Sequence, residues 1–282
     1  MTLDRRLNAF RPDVADVRLK GQVAADRFVE GVPGRVVAPS APLKPAPSPE
    51  ASLDSELVRG EEVLVFDTTG EGWAFVQSRV DGYVGYAPSD ALGPVEPAPT
   101  HRVTALRTFI YPGPDMKLPA IAALSLGSTI TLAGEAETRG TRFGLLTGGE
   151  GAVFLGHVDP IDAPPEPDFV AVAERFVGIP YLWGGRTSLG LDCSALVQVA
   201  LRAAGTAVLR DTDMQRDTIG TALDPGAGTA RGDLVFWPGH VAVVLGDGRI
   251  VHASGRHMSV VTEPLAEALA RIGAPTVVRR PD

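Results

Sequence analysis

Residues 178–205 read GIPYLWGGRTSLGLDCSALVQVALRAAG and hold the only cysteine of the chain, Cys193. Asp192 has the chemistry of a helix N-cap, since its carboxylate can accept an orphan backbone N–H, and Gly205 has that of a C-terminal stop. Between them Cys193, Leu196, Val197, Ala200, Leu201 and Ala204 recur at helical spacing as one apolar stripe. Cys193 is therefore expected in the first turn, on the buried face, where the positive end of the helix dipole favours thiolate over thiol. Spacing alone leaves two readings open, a small core residue and a nucleophile.

At 282 residues the chain is long enough for two or three domains, and its 44% hydrophobic against 21% charged residues is a globular balance. A formal charge of −8 argues against a nucleic-acid partner. One cysteine makes no internal disulfide, and no Cys/His spacing suggests a metal or another cofactor. The opening MTLDRRLNAFRPDVADVRLKG lacks the apolar run of a signal peptide, and no later stretch is long enough to span a bilayer. The expected location is cytoplasmic, with no membrane partner.

Composition shifts divide the chain. Residues 1–30 read as an N-terminal arm whose apolar positions have patchy helical spacing. Over 31–97, short alternating runs (EVLVF, GWAFVQ, GYVGYA) separated by turn residues indicate a small antiparallel barrel, with VVAPSAPLKPAPSPEASLD as an irregular proline-rich loop. Residues 98–162, entered through PVEPAPT, repeat that plan in a degenerate form. Beyond IDAPPEPD, residues 163–282 change to helices followed by the strands LVFW, HVAVVL and RIVHA, an α+β pattern.

A cysteine nucleophile needs a base, and the base needs a partner that fixes its orientation. Of the five histidines, His240 and His252 lie on adjacent strands of one hairpin, HVAVVLGDGRIVHA. A two-residue Asp247-Gly248 turn would put them on opposite faces. A three-residue turn, Gly246-Asp247-Gly248, pairs Leu245 with Arg249 and makes the two histidines diagonal neighbours on one face. Glycines flanking Asp247 permit the left-handed conformation that this turn demands.

PYLWGG, LDCSALVQ, RDTDMQ, GDLVFW, HVAVVLGDG and VHA, in this order, resemble the NlpC family of bacterial cell-wall cysteine peptidases, which have a papain-like fold. LVRGEEVLVFD and GWAFVQ with DGYVGY resemble bacterial SH3-like domains. The resemblance implies an α+β papain-like catalytic domain preceded by two small all-β SH3-like barrels. It implies Cys193 as nucleophile, His240 as general base and His252 as orienting residue, with the Cys193 N–H and the Tyr181 hydroxyl as oxyanion donors. It further implies that Asp192 meets a free N-terminal ammonium, with Ser194 and Thr212 as hydrogen-bonding neighbours and Trp183 as a pocket wall. Ala195 replaces a glycine common in the family and removes no functional group. Arg186 and Arg210 could meet substrate carboxylates, but the solvated surface is the expected place for each. By the same resemblance a polar or aromatic rim of the first unit, Glu61 or Tyr83, would restrict the cleft to short peptides.

The implied reaction is hydrolysis of murein peptides at the bond from γ-D-glutamate to a diamino acid, meso-diaminopimelate or L-Lys, in cell-wall peptide recycling, without a cofactor. Two other classes stay open: a non-catalytic binder of cell-wall peptides, and another amide hydrolase or acyl transferase on the same scaffold.

Overall fold

The computed structural model describes residues 3–224 and 226–282; Met1 and Thr2, where the expected N-terminal arm begins, lie outside the described residues. The chain divides into two compact units, Met1–Ala163 and Pro164–Asp282.

In the first unit, strands β1 (Val32–Val36), β2 (Glu62–Thr68), β3 (Trp73–Ser78), β4 (Val84–Pro88) and β5 (Leu92–Gly93) form an antiparallel sheet in the order β4-β3-β2-β1-β5. The arm does not become an α-helix. Val14–Asp16 pairs in parallel with Arg27–Val29, and Ala9 and Val14 pack with Phe66 and Phe75 of the sheet. Val14, one of the positions at that patchy helical spacing, serves a sheet face. The proline-rich segment is also more ordered than its composition suggests, because Ser40–Leu43 pairs with Ser55–Val58. Pro42 fits there because a two-stranded sheet leaves an edge on which a missing N–H breaks no ladder.

A second antiparallel sheet follows: β6 (Arg107–Tyr111), β7 (Ala122–Ser125), β8 (Leu132–Thr138), β9 (Thr141–Leu146) and β10 (Ala152–Phe154), in the order β7-β6-β10-β9-β8. Its β8–β9 hairpin turns through Arg139 and Gly140, both at positive φ, the conformation a tight two-residue hairpin turn requires. Ile110, Leu124, Leu146 and Val153 build its core together with Val103, Ile130 and Val158. Both sheets are open, and no closed barrel forms among the described residues, in contrast to the barrels expected. The two-residue strand β5 pairs only with β1, too short a ladder to close the first sheet.

The second unit begins with α1 (Phe169–Glu174), capped by Asp168, then α2 (Cys193–Ala203) and α3 (Thr212–Thr218). Strands β11 (Thr221–Ala222), β12 (Leu234–Trp237), β13 (His240–Val244), β14 (Arg249–Ser254), β15 (Ser259–Pro264) and β16 (Val277–Arg280) form one antiparallel sheet in the order β11-β16-β12-β13-β14-β15. Between β15 and β16, α4 (Leu265–Ile272) lays Leu265, Ala268 and Leu269 on Val235, Trp237, Ala242, Val244 and Ile250. The alternate positions Leu234, Phe236, Val241, Val243 and Val251 are buried as well, and α2 runs against β13 and β14. Burial on both faces explains why these strands read as continuous apolar runs. No helix among the described residues is long and apolar enough to cross a membrane.

Candidate active site

The N-terminus of α2 is built by Asp192. Its Oδ1 accepts from the backbone N–H of Ala195 at 2.9 Å, which caps the helix, and its Oδ2 accepts from the N–H of Gly184 at 3.0 Å. The two glycines of LWGG follow from this fold: Gly184 has φ +72°, and a Cβ on Gly185 would stand 2.6 Å from the carbonyl oxygen of Gly190. Arg210 completes the cluster with Nη1 3.0 Å from Oδ1 and Nη2 2.7 Å from Oδ2, and it also donates to Ser194 Oγ at 2.9 Å. Ser194 Oγ in turn donates to Oδ1 at 3.1 Å. Five donors thus converge on one buried carboxylate. A charge inside a protein persists on these terms, paired and fully hydrogen-bonded.

Cys193 follows immediately and is buried, with Sγ 3.8 Å from Thr212 Oγ1 and 3.9 Å from the Gly239 carbonyl oxygen. The Val241 N–H donates to the sulfur, so the thiol rests against backbone on either side of His240. Burial pushes its pKa up, and the neighbouring Asp192 charge adds to the rise; the Val241, Thr212 and Ser194 donors only partly offset them. The expectation that the helix dipole makes a resting thiolate is therefore reversed, because desolvation outweighs a partial charge. Iodoacetamide alkylation of the unliganded protein at pH 7 is expected to be slower than that of free cysteine. It should accelerate about tenfold per pH unit through and beyond the ordinary thiol range, since only the thiolate reacts. A rate already at plateau near pH 7 would show a preformed thiolate instead.

The β13–β14 hairpin takes the three-residue register. Val243 pairs with Val251 and Val244 with Ile250, and the Leu245 N–H donates to Arg249 O. Gly246 and Gly248 have φ +94° and +81°. His240 and His252 consequently share a face, with His240 Nε2 2.7 Å from His252 Nδ1. The His240 ring also lies 5.8 Å from that of Trp237, its cross-strand partner. Burial first, and the neighbouring imidazole second, lower the His240 pKa to about 4, against the pull of Glu263. His252 is almost completely enclosed, and that burial lowers its pKa as well, against the pull of Glu263. Both rings are neutral at pH 7, and Nδ1 of His240 is the nitrogen left outside the His–His contact.

Residues 178–271 match the NlpC/P60 family and residues 43–92 match the bacterial dipeptidyl-peptidase Sh3 domain. The chain carries an NlpC/P60 domain. Among curated proteins it is 27% identical over 241 residues to gamma-D-glutamyl-L-lysine dipeptidyl-peptidase of Bacillus cereus (strain ATCC 10987 / NRS 248), covering 76% of this chain and 71% of that one. It is 26% identical to the protein of that name from Bacillus subtilis (strain 168), covering 74% and 76%. The peptidoglycan endopeptidase RipB of Mycobacterium tuberculosis (strain ATCC 25618 / H37Rv) is 34% identical over 109 residues, 33% of this chain and 44% of that one. The crystal structure of an NlpC/P60 family protein from Bacillus cereus ATCC 10987 superposes with a TM-score of 0.73 at 23% identity, covering 88% of this chain and 99% of that one. That likeness establishes a shared fold, and the papain-like α+β reading stands.

Around the NlpC/P60 thiol, Tyr181 is half-buried, and burial above all pushes its pKa up to about 12. Its hydroxyl therefore keeps its proton. Trp183 is 68% exposed, and Thr212 is half-buried beside Sγ. Arg186 and Arg210 are corrections to the sequence reading, because both are buried rather than solvated. Glu61 and Tyr83 of the first unit are buried, and the Glu61 carboxylate accepts the Val58 N–H. Sequence reasoning passed over Glu263, whose Oε1 lies 2.8 Å from His252 Nε2 and which accepts from Arg271 at 2.8 and 2.5 Å. The available signal was parity: in SVVTEP, a glutamate two steps along from the partner of His252 must face the same side.

Proposed function

We propose that the protein is a cysteine peptidase of peptidoglycan peptides, cutting the bond that follows γ-D-glutamate. The observation that carries this reading is the Cys193 sulfur at the head of α2, resting on the backbone either side of His240, whose ring is held by His252. The names of the relatives, gamma-D-glutamyl-L-lysine dipeptidyl-peptidase and peptidoglycan endopeptidase, supply the substrate class.

In this mechanism Nδ1 of His240 takes the Cys193 proton as the sulfur attacks the carbonyl carbon, and later returns it to the leaving amine. Substrate that covers the thiol brings an electrophile to it, so the thiolate forms only when it is consumed. The oxyanion is met by the Cys193 backbone N–H and the protonated Tyr181 hydroxyl. Trp183 offers an apolar wall, and Thr212 Oγ1 is a hydrogen-bonding group beside the sulfur. Asp192 and Ser194 would receive a free N-terminal ammonium at the edge of an ion pair that is already neutral, so the gain is smaller than an unpaired carboxylate would give. The second open sheet, over residues 107–154, supports reading 98–162 as a second SH3-like domain after 31–97, with 1–30 as the arm and 163–282 as the peptidase domain.

Mass spectrometry of digests of L-Ala-γ-D-Glu-diamino acid peptides, free and N-acetylated, tests this. Cleavage after γ-D-Glu is expected, faster for the free amine. Equal cleavage of the two forms would remove the ammonium role of Asp192 and Ser194. Cleavage of neither would overturn the peptidase reading.

A further inference from the structure

On the sheet face that carries the two histidines, the register pairs His252 with Val261 and Ile250 with Glu263, which makes Glu263 a diagonal neighbour of His252. Its Oε1 is 2.8 Å from His252 Nε2. The ring N–H direction is bent away from that oxygen, so the contact is not a linear hydrogen bond. The electrostatics still decide where the proton sits. Even off that axis, an unprotonated Nε2 with its partial negative charge is repelled by an anionic oxygen 2.8 Å away, whereas an Nε2–H is attracted to it. The oxygen is anionic because Arg271, reaching from α4, donates to both carboxylate oxygens and holds Glu263 below the usual carboxylate range.

We infer that Glu263 is a positioning residue that keeps the proton of His252 on Nε2. His252 Nδ1 is then an acceptor, and the single hydrogen in the 2.7 Å His240–His252 contact belongs to His240 Nε2. His240 Nδ1 is thereby left unprotonated, as the nitrogen of a general base must be. The opposite tautomer of His252 would donate from Nδ1, drive the His240 proton onto its own Nδ1 and remove the base. This inference rests on the peptidase reading for its consequence, but the tautomers themselves are properties of the free protein. Other titratable neighbours are His257, in the turn between β14 and β15, which lies near both His252 and Glu263, and Glu267 of α4, which acts on Arg271.

Long-range proton–nitrogen correlation spectra of the full chain labelled with 15N-histidine, recorded at pH 7, test the assignment. His240 and His252 are both expected as Nε2–H tautomers in the unsubstituted protein. In Glu263→Leu, His252 should lose that preference. In Glu263→Gln it should keep it, because an amide oxygen can still stand beside Nε2 with Arg271 donating to it. Peptide cleavage by Glu263→Leu should fall about 10-fold to 100-fold in kcat with little change in KM, less than the ~10²–10⁴-fold that complete loss of general-base action costs, and Glu263→Gln should recover most of it. An Nδ1–H tautomer of His252 in the unsubstituted protein overturns the inference, whether or not the leucine variant folds. An unchanged tautomer in a folded Glu263→Leu overturns it too. The expected tautomers in a protein that cleaves no peptide would count against the peptidase reading and leave the role of Glu263 intact.

Discussion

Cys193→Ala is expected to lower kcat/KM for peptide cleavage by about 10⁴-fold or more, because no other group can form the acyl intermediate. His240→Ala should cost nearly as much. With the thiol pKa raised and no imidazole to receive its proton, almost no thiolate forms at neutral pH. The two substitutions act on one step, so the double variant should be little worse than either single one. Stability should barely respond in Cys193→Ala, about 1 kcal/mol or less, because a sulfur forms weak hydrogen bonds and its contacts to Thr212 and Gly239 are long, at 3.8 and 3.9 Å. Cys193→Ser is a sharper form of the test. An imidazole with a pKa of about 4 is a weak base for a hydroxyl, so serine should restore almost nothing. Turnover in Cys193→Ala above a hundredth of the unsubstituted rate would mean that the chemistry lies elsewhere.

The parts of the site that could be read in the sequence are those set by local rules. Asp192 and Gly205 mark the ends of α2 because capping is chemistry between neighbours, and Gly205 indeed has φ +86°. Glycines at 246 and 248 select the hairpin turn, and the turn selects which face each histidine occupies. What local rules miss is set by tertiary burial. Arg210 looks like any surface arginine until the loop before α3 brings it to Asp192, and Glu263 looks like the solvent face of an edge strand until α4 supplies Arg271. Position at a helix head said nothing about how much water the thiol would lose, and that loss decides its protonation. What the arm packs on was not legible either: Val14 is apolar because Phe66 and Phe75, more than fifty residues on, cover it.

Arg210→Met should be the most destabilising single change in the second unit considered above, at about 3–5 kcal/mol, because it leaves a buried carboxylate without its counter-charge. The guanidinium is 1% exposed and supplies two of the five donors to Asp192 and one to Ser194. Asp192→Asn removes the charge from the other side while keeping an oxygen for the Ala195 N–H, so the cap on α2 survives. Its cost should be smaller, chiefly the stranded arginine and an amide facing the Gly184 N–H. The double variant removes both charges and keeps the cap, and it should be more stable than the sum of the single losses by about 1–3 kcal/mol. Urea unfolding of the three variants closes this cycle. Additive losses would mean that the two side chains do not depend on each other, which the 2.7 and 3.0 Å contacts forbid for a paired charge. The same pair fixes the segment from Gly184 to Ser194 that presents Cys193, so Arg210→Met should slow peptide cleavage even under conditions where most molecules are folded. Thermodynamic damage and loss of activity then have one origin, a helix head whose anchoring carboxylate has lost its partner.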